Sequence, residues 1–302
     1  MGTTYEVTIR NFNNSSEKLK IEIDSLLTDI NNVFSTYQKN SEISKINKSK
    51  DSQVGISDKF YYVLSKSLNY CDLSNGSYDI TIGPLVELWG FGKSKSKVIP
   101  SKDSIDDNVK NVGFNNIYIK DKTLYKNIND ITIDLNSIVK GYAVDEIALL
   151  IDSKGYSDFL VEIGGEIKSS IKNTDNWIIG IQDPLSDGIY QKGVLKKILL
   201  NNKSMATSGT YNNYFLHNGK KFSHIINPKT GYPYNYSIVS ATVIAQDCVD
   251  ADAYATMAMT MDVDDFLLII NSIKDVESFL VLIDENNNFV YYESKNFKEF
   301  IY

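Results

Sequence analysis

The sequence predicts an α+β protein with mixed or antiparallel sheets flanked by helices, and three observations carry that prediction. Short strand-like runs recur along the chain, a buried one at 159–162 and one that alternates β-branched and small residues at 237–245. Amphipathic stretches of helical period, such as those beginning at Ser16 and Ser57, stand apart from these runs. A doubly wound parallel sheet needs a helix after almost every strand, so the segregated order favours α+β. With 302 residues and 42% hydrophobic content, the chain can bury a sizeable core. It reads as one domain over 1–302, with a division into two lobes left open.

Taken in order, residues 5–11 alternate as a strand, and a helix from Ser16 places Leu19, Ile23, Leu26, Ile30 and Val33 on its apolar side. The polar segment 37–52 reads as a surface loop. Ser57 caps a second helix through Leu73, and Asn75-Gly76 then forces a turn. GPLVELWGFG places Trp89 and Phe91 in a short apolar helix and turn, read as core and not as a ligand platform. Residues 93–100 are a Lys- and Ser-rich surface loop. A helix over 104–112 precedes strands near 117–119, 123–126 and 131–135.

A long helix over 138–154 follows, with Asn136 or Ser137 at its N-cap. Free N–H groups at such a terminus suit a pyrophosphate, to which Lys140 adds a point charge. Strands at 159–162 and 166–171 flank Gly164-Gly165, strands at 177–182 and 193–199 come next, and a pair at 279–283 and 288–292 ends the chain. No internal repeat is found.

A formal net charge of -7 argues against nucleic acid as a partner, because phosphates require a basic face. There is no run of eighteen apolar residues, and two cysteines, Cys71 and Cys248, give no disulfide framework.

The chemistry concentrates between Ser204 and Met261. Asp252 and Thr256 are four apart on an expected helix, so a carboxylate and a hydroxyl share one face, a hard-oxygen pair suited to Mg²⁺. The plainer alternative is that Asp247 or Asp250 caps the helix and Asp252 is solvated. Residues 206–209 and 227–231 both read as turns, their glycines supplying positive φ beside a ligand. His224 stands between them and fits either a structural hydrogen-bonding role or a catalytic one.

The blocks ATSGTYNNYF, SHIINPKTGYP and DADAYAT resemble the signature blocks of the ApbE-type flavin transferases, the FAD:protein FMN transferases. MGTTYEV, FSTYQKNSEISKIN, NGSYDITIGPLVELWGFG, DLNSIVKGYAVDEI and VEIGGEI agree upstream in the same order, so the resemblance covers nearly the whole chain. It implies Mg²⁺-dependent transfer of FMN from FAD to a Thr or Ser of an acceptor protein, with release of AMP. It carries over Met1, Tyr37, Asp134, Lys140 and Ile226 as FAD contacts, together with Ser77-Tyr78-Asp79, where Ala-Phe-Asp is the commoner form. Ser137, Asp252, Ala255 and Thr256 are carried over as the metal positions, and His224 with Asp252 as catalytic.

Asn136, Ser137 and Val139 depart from the usual Gly-Gly-Ile-Ala-Lys pattern, Ala255 stands where some relatives have an acid, and Glu162 and Glu166 replace an Asn and an Asp. The resemblance also implies a lipoprotein anchor removed from ahead of MGTTYEV and an extracytoplasmic home, the anchor being the only membrane link. The alternatives are a FAD pyrophosphatase yielding FMN and AMP, and a flavin-binding lipoprotein without turnover.

Overall fold

The computed structural model describes residues 2–93, 98–172, 175–184, 193–210, 214–234, 238–286 and 288–302; Met1, expected as a FAD contact, lies outside them. The chain divides into two compact units. One takes Leu27–Val139 and Asn212–Tyr236; the other takes Gly2–Leu26, Lys140–Tyr211 and Ser237–Tyr302.

In chain order, strand β1 (Tyr5–Ile9) and helices α1 (Ser16–Phe34) and α2 (Glu42–Lys48) precede β2 (Gln53–Gly55), α3 (Asp58–Leu73), α4 (Gly83–Leu88) and α5 (Lys102–Val109). Then come β3 (Ile117–Lys120), β4 (Thr123–Lys126), α6 (Val139–Ser153), β5 (Phe159–Ile163), β6 (Glu166–Ser170), β7 (Ile178–Gln182) and β8 (Val194–Leu199). The rest is β9 (Ser204–Gly209), β10 (Tyr214–His217), β11 (Lys220–Ser223), β12 (Ile238–Ala245), α7 (Cys248–Ala258), α8 (Val263–Ile270), β13 (Glu277–Ile283) and β14 (Phe289–Glu293). Every strand pairing among the described residues is antiparallel, so the α+β class holds.

The unit containing Lys140–Tyr211 is built on a seven-stranded sheet in the order β1-β5-β6-β9-β12-β13-β14. Ile163 pairs with Glu166, leaving Gly164 and Gly165 as a two-residue hairpin loop with φ of 62° and 109°, a turn that needs positive φ at both positions. β12 is buried on both faces. Ile179, Ile181 and Ile198 of β7 and β8 pack with Met205, Ile244, Phe279 and Val281 on one face. α7 lies across β9 and β12 on the other.

This explains the one misread block in the region. Ala206–Gly209 is not a turn but the centre of β9, and Gly209 has no positive φ. The small side chains of Ala206 and Ser208, which alternate with Met205 and Thr207, let α7 sit close on the sheet.

The other unit holds α2 to α5, the β2-β4-β3 sheet and the β10–β11 hairpin. Its core gathers Leu85, Trp89, Ile105 and Ile226. Trp89 is core as expected, and its indole N–H donates to the Gly231 carbonyl at 2.8 Å. Gly231 has a φ of 74°, and a Cβ there would come within 2.4 Å of Ile105, so glycine is required on both counts.

The segment 37–52 is not a plain loop. Ser41 accepts the Ser44 N–H at 3.2 Å as an N-cap, and the one-turn spacing of buried Ile43 and Ile46 anchors α2. Residues 131–135 are not a strand either. Ile131, Ile133 and Leu135 are buried in alternation, but the Ile133 N–H goes to the Asn47 side chain and the Asp134 N–H to the Ile80 carbonyl, instead of to a ladder. Cys71 and Cys248 are free and buried, and burial raises the pKa of both thiols. Among the described residues, no helix is long and apolar enough to cross a membrane.

Candidate active site

Helices α6 and α7 cap each other, and that exchange builds the polar centre of the larger sheet's unit. Asp145 on α6 accepts the N–H groups of Cys248 and Val249 at 3.0 and 2.9 Å, capping α7. Asp247 occupies the N-cap position but makes no side-chain cap bond; it pairs with Lys168 at 3.0 Å. In return, Asp252 on α7 accepts the Gly141 N–H at 2.9 Å in the first turn of α6. The solvated alternative for Asp252 therefore fails, since the residue is only 2% exposed. The exchange also removes free donors from the α6 terminus, where the Val139 N–H is taken by the Leu135 carbonyl.

Strand β6 supplies the third part. Alternation puts Glu166 and Lys168 on the face opposite Ile167, toward α6. Lys168 pairs with Asp145 at 2.7 Å, and Glu166 with Lys140. The Lys140 ammonium also lies 3.8 Å from Asp252 Oδ1. Glu166 is 1% exposed, and its second oxygen, Oε2, has no hydrogen-bond partner among the described residues.

Burial opposes the charge on Lys140, but Asp252 and Glu166 outweigh it and raise its pKa. Burial, and then Asp252, push the Glu166 carboxyl up to about 8 against the pull of Lys140. Burial likewise raises Asp252, with Lys140 and the Gly141 amide opposing. One ammonium thus stands against two carboxylates whose ionisation burial opposes. On the next turn of α7, Thr256 Oγ1 lies 3.2 Å from Ser208 Oγ of β9.

This donor set fits Mg²⁺. No group of three or more His, Cys, Asp or Glu side chains forms a cage among the described residues. Mg²⁺, however, takes only one or two carboxylates and completes its shell with water and substrate phosphate. Asp252 Oδ1, the Thr256 hydroxyl and the orphaned Glu166 oxygen are acceptors at a place short of positive charge. Ala255, fully buried, has only its carbonyl to give.

The remaining candidates belong to the other unit. A cavity of about 230 Å³ is lined by Tyr37, Asn47, Glu87, Phe91, Asp134 and Asn136, among others. Tyr37 is 66% exposed at its wall. Asp134 Oδ1 accepts the Asn136 N–H at 2.8 Å, and burial raises its carboxyl pKa. Asp79 uses both oxygens on the chain itself, accepting from the Thr81 N–H and hydroxyl and from the Phe114 N–H at 2.7, 2.6 and 2.9 Å. Burial still raises its pKa.

Tyr78 is buried with its hydroxyl 2.7 Å from Ser137 Oγ, and the Ser77 carbonyl accepts from Tyr234 at 3.5 Å. The Ser137 hydroxyl is thus engaged by Tyr78 instead of capping α6. His224 is half-buried with its ring edge-on to Phe91, centroids 6.2 Å apart. Ile226 points its side chain into the core.

Lys140, Asp252, Ala255 and Thr256 therefore come together on α6 and α7, and Tyr37 and Asp134 share one cavity. Sequence reasoning missed Glu166, Asp145, Lys168 and Ser208. Glu166 and Lys168 carry a signal in hindsight, being charged residues at alternate positions just after a Gly-Gly hairpin in a strand otherwise fit for burial.

A family model described as the ApbE family matches residues 1–280. The FAD:protein FMN transferase of Vibrio cholerae is 35% identical over 307 residues, covering 100% of this chain and 90% of its own length. That of Haemophilus influenzae is 36% identical over 311 residues, covering 99% and 89%. The solved structure of the flavin transferase ApbE from Vibrio cholerae superposes with a TM-score of 0.89 at 33% identity, covering 99% of this chain and 96% of that one. Matched along nearly its whole length in both sequence and fold, this chain belongs to the ApbE family.

Proposed function

We propose that this chain is a Mg²⁺-dependent transferase that moves FMN from FAD onto a Thr or Ser hydroxyl of an acceptor protein and releases AMP. The observation that carries the proposal is the buried cluster of Lys140, Glu166 and Asp252, with its orphaned carboxylate oxygen and the Thr256 hydroxyl one turn away. It offers both signs of charge that a pyrophosphate and its counter-cation require. The activity named for the Vibrio cholerae and Haemophilus influenzae relatives supports the same reaction.

In this reading Lys140 holds a phosphate oxygen, and Asp252 and Thr256, with the Ala255 carbonyl, hold the cation. A cation held there would supply positive charge to offset the negative charge of the phosphates. The cavity beside Tyr37 takes one ring system of the dinucleotide, since at about 230 Å³ it is below the size of pockets that enclose a whole drug-sized ligand. Asp134 offers that ring a polar edge, and Asp79 keeps the Ser77-Tyr78 turn in shape. His224 accepts the proton of the acceptor hydroxyl, whose oxygen bonds to the FMN phosphorus as the bond to AMP breaks.

An extracytoplasmic placement through a lipid anchor belongs to the same reading. Fractionation of the source cells tests it, and recovery of the protein in the cytosol would overturn it.

The central experiment incubates the chain with FAD, Mg²⁺ and an acceptor domain from the same source. Intact mass should show the acceptor gaining one FMN residue, with AMP released in equal amount. Free FMN with AMP and an unmodified acceptor, across several acceptors, would make the protein a pyrophosphatase. Binding of FAD without AMP would make it a flavin carrier.

A further inference from the structure

We propose that Asn47 is a specificity-determining residue of the cavity beside Tyr37, where its side-chain amide donates a fixed N–H to an acceptor atom of the FAD ring that enters. The inference rests on the reading above, in which that cavity takes one ring system of the dinucleotide.

Asn47 stands in the last turn of α2 and belongs to the cavity wall together with Thr132, Ile133 and Asp134. Its side chain closes on the backbone of a single residue, Oδ1 accepting the Ile133 N–H and Nδ2 donating to the Ile133 carbonyl, both at 2.8 Å. This pair acts as one rung of a sheet. It also fixes which way the amide faces, because exchanging its oxygen and nitrogen would set donor against donor and acceptor against acceptor. An amide nitrogen carries two hydrogens. One goes to Ile133, and the other has no partner among the described residues. The two diverge in the amide plane, so the second points away from Ile133.

Other polar side chains of the wall are held less closely to one role. Thr36 and Thr132 carry hydroxyls that rotate between donating and accepting, and the ammonium of Lys93 ends a flexible stem. Asn47 is held at both ends of its amide, so its N–H is set in direction before a ring arrives. Such a donor favours a ring that brings a carbonyl oxygen or an unprotonated ring nitrogen to that point. A ring lacking the acceptor leaves the N–H covered and unpaired, which is penalised more than the bond itself is worth. The isoalloxazine and the adenine of FAD both carry acceptors of this kind, and the experiment distinguishes them.

Calorimetry measures the dissociation constants of FAD and of a series of analogues for the wild-type protein and for Asn47→Asp. Each analogue has one ring nitrogen replaced by C–H or one ring carbonyl oxygen replaced by sulfur. The substitution keeps Oδ1 for the Ile133 N–H and removes the donor. FAD should bind the variant about tenfold more weakly. One analogue should bind the wild-type protein with the same loss of about tenfold and lose no more than about twofold further on substitution, while every other analogue loses about tenfold. The altered atom of that analogue names the ring the cavity holds.

Asn47→Ala places no charge against the Ile133 carbonyl; it should give the same pattern, and it carries the test should Asn47→Asp lose the fold. An equal loss for every analogue in the folded variants overturns the proposal and makes Asn47 only a brace for residues 131–135. So does an FAD affinity that the substitutions leave unchanged. Flat affinities while FMN still reaches the acceptor remove this inference and leave the transferase reading; no FAD binding by the wild-type protein removes both.

Discussion

Replacing Gly141 by Ala tests whether the close contact of α6 and α7 places Asp252. A Cβ at Gly141 would stand 2.2 Å from the Cys248 carbonyl oxygen, 2.6 Å from its carbon and 2.8 Å from Asp252 Cβ. Two of these are backbone atoms that no rotamer change can move. Carbon contacts relax at about 3.5 Å or more, so the helices must part by about 1 Å.

The bond from the Gly141 N–H to Asp252, now 2.9 Å, would open with them. Overpacking of this kind costs about 1–3 kcal/mol. Alanine's preference over glycine inside a helix returns about 0.5–1 kcal/mol. The balance, about 0–2.5 kcal/mol, should lower Tm by up to about 4 °C in a chain of this size.

The larger effect falls on catalysis, because displacing a reacting group by about 1 Å can cost on the order of 10² in rate. Scanning fluorimetry gives the first quantity, and chromatographic AMP release with FAD and Mg²⁺ gives the second. Full AMP release from a variant with the expected Tm loss would show that the helix contact does not position Asp252. A Tm above the wild-type value would show that the contact itself is not tight.

Further tests follow from single groups. Asp252→Asn keeps an acceptor for the Gly141 N–H, so Tm should hold while Mg²⁺-dependent AMP release drops by at least about 10²; full activity at low Mg²⁺ would remove Asp252 from the metal assignment. His224→Gln should slow transfer by roughly 10²–10⁴ with FAD affinity retained, and loss of affinity instead would make His224 a binding residue. Lys126 is buried, donating to the carbonyls of Ser49 and Asn129, and burial lowers its pKa. A depressed lysine contributes stability that is present above its unfolded value of about 10.4 and lost as pH falls through the folded value. Denaturant titrations should therefore show Lys126→Met flattening the rise in stability as pH climbs toward that value, and an unaltered slope would show that the ammonium is not strained by burial.

Local rules account for much of what the sequence disclosed. Ser57 caps α3 where a serine before an amphipathic run should, accepting the Phe60 N–H at 3.3 Å. Gly164-Gly165 turns β5 into β6 because two positive φ values in succession favour glycine. Asp252 and Thr256 share a face of α7 because their spacing matches the helical period. What depends on a few neighbouring residues can be read from those residues, and the order of the blocks was enough to place the family.

Tertiary structure decided the rest wherever a group is satisfied by a distant partner. Residues 131–135 have the pattern of a strand, but their amide at Ile133 is taken by Asn47, far away in the chain. Ala206–Gly209 reads as a turn by composition, yet its small side chains serve the approach of α7 to the sheet. The cap of α7 belongs to Asp145 instead of the adjacent Asp247, because only packing brings α6 against the start of that helix. Glu166 is the sharpest case. Alternation along β6 sets the face on which its carboxylate lies, but its burial, its pairing with Lys140 and its orphaned oxygen exist only once β6, α6 and α7 are assembled, since an ion pair is a property of distance in space and the sequence records only distance along the chain.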